Sequence, residues 1–249
     1  MGSLYGLQKR RHSEAYEYEM QNPADDPPDA DEKTEFAFAR LRYRSPRGFF
    51  RGGWGTDSNK AERQFVQGVR RLSRIHTRSV EEIIDVDSDE MFNWPWLYAV
   101  EVGHWYLSEP QAKRLREYLD RGGFLMVDDF HGSWEWDVFM QSLRRVFPDR
   151  PVVDIEDSDP IFHMLYDLQS RVQVPGRQFV YSRRTYEQDG YEARWGAIYD
   201  DRGRIQVAIC HNMDLGDAWE WADDPQYPER FASLAYRIGL NYIVYAMTH

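Results

Sequence analysis

The run Gly122-Gly123-Phe124-Leu125-Met126-Val127-Asp128-Asp129-Phe130-His131-Gly132 constrains this chain more than any other segment. Two glycines stop a helix, four apolar residues make a short buried strand, and a polar turn opens another helix. Such a unit belongs in an open α/β sheet, where ligands bind beyond the carboxyl ends of the strands. Hydrolases of that architecture often place a Ser or Cys nucleophile in this turn. Here the turn carries Asp-Asp-Phe-His-Gly instead.

The flanking sequence repeats the alternation. Residues 36–43 alternate as a first strand, and a glycine-rich loop follows to about residue 57. Asn59 and Glu62 have capping-box spacing, with a helix expected to about Ile75. Strands are expected at 80–86 and 96–102, the second ending at Gly103-His104. Ser108 and Gln111 repeat the capping-box pattern, and Gly122-Gly123 closes that helix. A helix from Ser133, its expected N-cap, runs to Phe147. Residues 178–185 and 194–200 have strand character and form a small β insertion. A late buried strand spans 205–210, and a closing helix spans 228–247. The fold class expected is α/β, a mostly parallel sheet flanked by helices. Residues 1–35, polar and proline-containing, make an N-terminal arm or linker, and 36–249 make a single α/β domain.

Composition narrows the function classes. At 249 residues and 42% apolar content the chain builds its own core without a metal or disulfide staple. A net charge of -11 argues against nucleic acid as a partner. Cys210 is the only cysteine, so no intrachain disulfide forms. No run approaches the roughly 20 apolar residues of a membrane-spanning helix, so no integral membrane segment is expected. Met1-Gly2-Ser3 has the look of a non-native leader, and the compartment stays open. An exported, periplasmic protein whose signal peptide has been removed fits as well as a cytosolic one.

Strand ends nominate the site. The ligand-binding candidates are His104, Trp105, Asp129, His131, His211, Asp214, Asp217 and Trp219, all at or near expected carboxyl ends. Asp128 and Asp129 are adjacent carboxylates, which can split their pKa values. Consecutive strand residues point to opposite faces, so one of the pair caps the next helix rather than serving the site. These residue types bind zinc or manganese, but their spacing matches no compact metal motif. No metal and no cofactor is therefore expected. Cys210 lies inside the apolar run 205–210, as a buried small residue does. Tryptophans near the rim, including Trp54, offer stacking surfaces for sugars.

Several motifs together resemble a known bacterial family. They are Gly103-His104, Leu115-Arg116-Glu117-Tyr118-Leu119, the 122–129 run, Arg145-Val146-Phe147-Pro148 and Asp159-Pro160-Ile161-Phe162-His163. Asp214-Leu215-Gly216-Asp217-Ala218-Trp219-Glu220 and Gly239-Leu240-Asn241-Tyr242 continue them. The chain from about residue 36 to 249 resembles the domain of unknown function 4159. That resemblance implies a flavodoxin-like sheet, similar to class I glutamine amidotransferases and ThuA-like proteins. It implies no established activity. An amidotransferase needs a cysteine after strand 124–127 and a histidine after the late strand. His211 matches the second requirement, and the cysteine nucleophile is lacking. The function expected is a binding domain for a carbohydrate or cell-envelope ligand. The alternatives are a metal-assisted hydrolase using His104, Asp129, His131 and Asp214, and a protein interaction module.

Overall fold

A computed structural model of the protein describes residues 26–45 and 53–249. Most of the expected arm, and part of the loop after the first strand, lie outside the described residues. In chain order the elements are β1 (Ala39–Arg42), α1 (Lys60–Leu72), β2 (Glu82–Asp85), β3 (Trp96–Val100), α2 (Glu109–Asp120), β4 (Phe124–Asp128) and α3 (Gly132–Val146). They continue with β5 (Val153–Asp154), α4 (Phe179–Ser182), β6 (Arg194–Tyr199), β7 (Ile205–His211), α5 (Leu215–Glu220) and α6 (Glu229–Thr248).

Every residue of β3 and β4 is buried, so both faces of the sheet need cover. Trp96, Tyr98, Phe124 and Met126 face one core, with Phe65 of α1 and Ile238 of α6. Leu97, Ala99, Leu125 and Val127 face the other, with Leu115 of α2 and Phe139 of α3. The result is an α/β fold: a seven-stranded mixed sheet, ordered β2-β1-β3-β4-β7-β6-β5, between two helical layers. The first five of these strands run parallel, and β6 is antiparallel to both β7 and β5. β4 sits at the centre. The order reverses between β1 and β3, the kind of switch point beside which such sheets bind ligands. No helix among the described residues is long and apolar enough to cross a membrane.

Three local expectations are corrected. Asn59 and Glu62 make no capping box: Asn59 donates to Glu81 Oε1 at 2.6 Å, and Glu62 pairs with buried Arg40. A buried guanidinium must be paired, and that demand outweighs a surface cap. Ser133 is not the N-cap of α3, a position held by His131. Its amide and hydroxyl instead donate to Asp189 at 2.8 and 2.7 Å. Residues 178–185 form no strand. Phe179–Ser182 is a short helix ended by Arg183 at φ 60°, and Phe179 packs edge-on against Phe231 of α6. Local strand propensity yields to that packing. The hairpin at this end of the sheet is β6 with β7, closed by a turn at Asp200–Arg204. By contrast, Gly122 takes φ 108° and stops α2 as expected, and Gln111 accepts from the Ser108 amide at 3.0 Å. In the described part of the arm, residues 26–35, Asp29 pairs with Arg70 and accepts from the Ser79 amide and hydroxyl.

Candidate functional site

The carboxyl edge of the parallel strands is marked by its backbone. Glu101, Asp129 and Asn212 follow β3, β4 and β7 directly and take φ 53°, 51° and 63°. Asp57, in the loop from β1, takes φ 61°. Left-handed non-glycine residues are uncommon and strained, and they gather where side chains must be aimed. Neighbouring contacts hold them there. Asp129 N donates to Met213 O at 3.1 Å, and Asn212 N to Phe130 O at 3.0 Å. The Tyr43 hydroxyl donates to the carbonyls of Val100 and Glu101 at 2.7 and 2.8 Å. Arg40 donates to Trp54 O and Thr56 O at 2.9 and 2.7 Å, which fixes the approach to Asp57.

Five carboxylates converge on this edge. Oxygens of Asp57, Asp129 and Asp214 lie within 4.8 Å of one another, and so do those of Asp57, Asp217 and Glu220. Asp214 and Asp217 open α5: Asp214 Oδ1 accepts from the Asp217 amide at 2.8 Å. Asp217 and Glu220 are three residues apart on that helix and share a face. Two glycines permit the convergence. A Cβ on Gly216 would lie 2.4 Å from Asp57 Oδ2, and one on Gly176 would lie 2.3 Å from Asp214 Oδ2 and 2.7 Å from Asp217 Oδ2. Burial pushes Asp57 well above the ordinary carboxylate range, and repulsion from Asp217 and Glu220 adds to it. Burial likewise raises Asp129, and repulsion from Glu101 and then Asp57 adds most to it. Asp214 is raised by burial and then by Asp129 and Asp217. The buried charge of Arg40 opposes this rise at Asp57 but is committed to Glu62.

Asp128 has the separate role that strand alternation assigned to one of the pair. Its Oδ2 accepts from Tyr98 OH at 2.9 Å and from the amides of Leu215 and Gly216 at 2.8 and 3.1 Å. It therefore caps α5 from across the sheet rather than the helix next in sequence. Burial raises its carboxyl to about 7, against the pull of these donors.

A histidine–carboxylate group adjoins the cluster. His104 Nδ1 lies 2.7 Å from Glu101 Oε2, and its Nε2 lies 3.8 Å from Glu135 Oε1. The hydrogen bond to Glu101 raises the His104 pKa. His131 Nε2 lies 3.2 Å from Asp129 Oδ1, and burial holds this imidazole down at about 3. Glu187, 3.9 Å from His131, is pushed up to about 7 by burial. The Trp134 ring, half exposed, stands 5.9 Å from that of His104.

The eight candidates from the sequence divide three ways. Asp129, Asp214 and Asp217 enter the carboxylate cluster. His104 and His131 stand beside it. Trp105, Trp219 and His211 pack inward. Trp105 is 1% exposed and stacks on Phe139, while Trp219 is 0% exposed with its ring 4.4 Å from that of Phe65. His211 binds Gly132 O at 3.1 Å and lies against Phe130 and Trp136. Trp54 lines a groove of about 670 Å³ with Arg42, Tyr43 and Asp85, at the carboxyl ends of β1 and β2. Sequence reasoning missed Asp57, Glu101, Glu135 and Glu220. Glu220 had a signal, three residues after Asp217 on a helix. Asp57 had only its place in the loop that follows the first strand, whose glycine-rich sequence does not mark that residue.

Fold and site together define an α/β protein with a buried, carboxylate-rich pole at the carboxyl edge of its parallel strands. Residues 37–247 match the family described as Domain of unknown function (DUF4159), and the chain belongs to it. No curated protein matches the sequence.

Proposed function

We propose that this protein is a divalent-cation-dependent hydrolase whose site is the carboxylate cluster. The observation that carries the proposal is the convergence of Asp57, Asp129, Asp214, Asp217 and Glu220, three of them buried and two half-buried. Ionised carboxylates crowded out of water need protons or a cation. An all-oxygen donor set suits magnesium, manganese or calcium rather than zinc. Such an ion supplies a Lewis acid and a source of hydroxide near neutral pH. The chain's own groups provide the rest. His104, kept basic by Glu101, is suited to protonate a leaving oxygen. Asp129 stands in the turn after β4, where a flavodoxin-like, amidotransferase-like sheet would present its nucleophile. Its left-handed backbone is the strained geometry that such an elbow uses. The strand order β2-β1-β3-β4-β7 agrees with that finer assignment of the fold.

A carbohydrate or cell-envelope ligand is the second reading, favoured by Trp134. An aromatic face half open to solvent beside His104 offers a stacking surface for a sugar ring. The test uses protein purified without chelator or nickel resin. It is analysed for metal and assayed on nitrophenyl esters, phosphates and glycosides with added manganese. Hydrolysis that needs manganese and disappears in Asp129→Asn is the expected result. A protein that binds no manganese and hydrolyses none of these refutes the hydrolase. Binding to a glycan array by such a protein would favour the second reading.

A further inference from the structure

We infer that the cluster holds two divalent cations which share Asp57. The inference rests on the cation-dependent reading above and adds the number of ions and the residue that joins them. Ligand oxygens lie about 2.0–2.6 Å from magnesium, manganese or calcium, so those of one ion lie within about 5 Å of one another. Two sets of oxygens each satisfy that limit, and they come from different elements. Asp129 and Asp214 are brought together by the ends of β4 and β7. Asp217 and Glu220 project from one face of α5. Asp57 alone belongs to both sets. A carboxylate with two oxygens can serve one ion with each, the arrangement of two-metal sites with ions about 3.5–4 Å apart.

A separate observation points to ligands that are not protein. Asp57 Oδ2 is buried, accepts no hydrogen bond and presses on Gly216 where a Cβ would be. Asp128, wholly buried, leaves its Oδ1 without a donor while Oδ2 takes three. Tyr98 OH, which binds that Oδ2, also lies 2.9 Å from the Gly216 Cβ position, so Asp128 borders the same space. Buried acceptors without donors are rare in folded proteins, because each forfeits its hydration without return. Charge supports the number of ions. One divalent cation would leave a large negative excess among five carboxylates, three buried and two half-buried, with Arg40 already paired to Glu62. Two would offset four of the five charges. Asp217 still accepts from Arg177 N at 2.6 Å and Trp221 Nε1 at 3.1 Å. These donors orient its oxygens in the way outer partners hold metal ligands.

The experiment is a manganese titration of the full, metal-stripped chain, followed by electron paramagnetic resonance and by elemental analysis after desalting. Two manganese ions per chain with a spin-coupled spectrum are expected. Glu220→Gln and Asp129→Asn should each retain one ion with an uncoupled six-line signal, and Asp57→Asn should retain neither tightly. Circular dichroism confirms that each variant is folded, and the wild-type stoichiometry decides the matter if a variant is not. One uncoupled ion per wild-type chain overturns the shared centre and leaves the cation-dependent hydrolase standing. No bound manganese overturns both.

Discussion

Asp57→Asn should move stability and cation binding in opposite directions. The substitution removes one charge from a cluster that also contains Asp129, Asp214, Asp217 and Glu220. At the 4.8 Å limit that bounds each set of ligand oxygens, one ionised pair repels by roughly 3 kcal/mol at an effective dielectric constant of about 20. Protonation relieves part of the repulsion among these carboxylates in metal-free protein, so a single pair sets the scale. The asparagine amide can also donate to the carboxylates it faces. In chelator at pH 8 the variant should therefore melt higher than wild type, by roughly 6–12 °C for a chain of this size. Manganese should raise the melting temperature of wild type and barely change that of the variant. Thermal unfolding followed by circular dichroism, with and without manganese, measures both. A metal-free variant that melts lower than wild type, together with an unchanged response to manganese, would refute the electrostatic argument.

Gly216→Ala places a Cβ 2.4 Å from Asp57 Oδ2 and 2.9 Å from Tyr98 OH, so manganese affinity measured by calorimetry should fall at least tenfold. Glu62→Gln leaves the Arg40 guanidinium buried with its charge uncompensated and should cost about 3–5 kcal/mol in urea unfolding. Imidazole NMR should show His211 neutral from pH 5 to 8, because burial lowers it to about 4. Its folded pKa lies below the unfolded one, so its stabilising contribution is complete above about 6.5 and is lost as pH falls towards 4. His104 has the opposite sign: its contribution is complete below about 6.5 and is lost as pH rises through its raised folded value. Cys210 is 0% exposed and its thiol is pushed up by burial, so thiol reagents should label it slowly in the folded protein. Cys210→Ala should leave function unchanged, and no ammonia should be released from glutamine.

The sequence alone determined the periodic part of this protein. Apolar runs along 96–100 and 124–128, with the helix between them bounded by Ser108–Gln111 at its start and Gly122 at its end, dictate buried parallel strands joined by a crossover helix. The sequence also places His104, Asp129 and Asp214 at strand ends, because local pattern and sheet handedness suffice for that. Only the tertiary structure decided what those ends do. Asp57 joins residues far along the chain through a loop that no periodicity describes, and its direction depends on Arg40 holding Trp54 O and Thr56 O. Asp128 caps α5, 87 residues away, because β4 and β7 are neighbours in the sheet. Trp105 and Trp219 have the composition of a ligand wall, yet burying their large apolar surfaces in the two cores outweighed display at the rim. The strain at Glu101, Asp129 and Asn212 is invisible in sequence, since the contacts that impose the left-handed backbone form only once the strands have assembled.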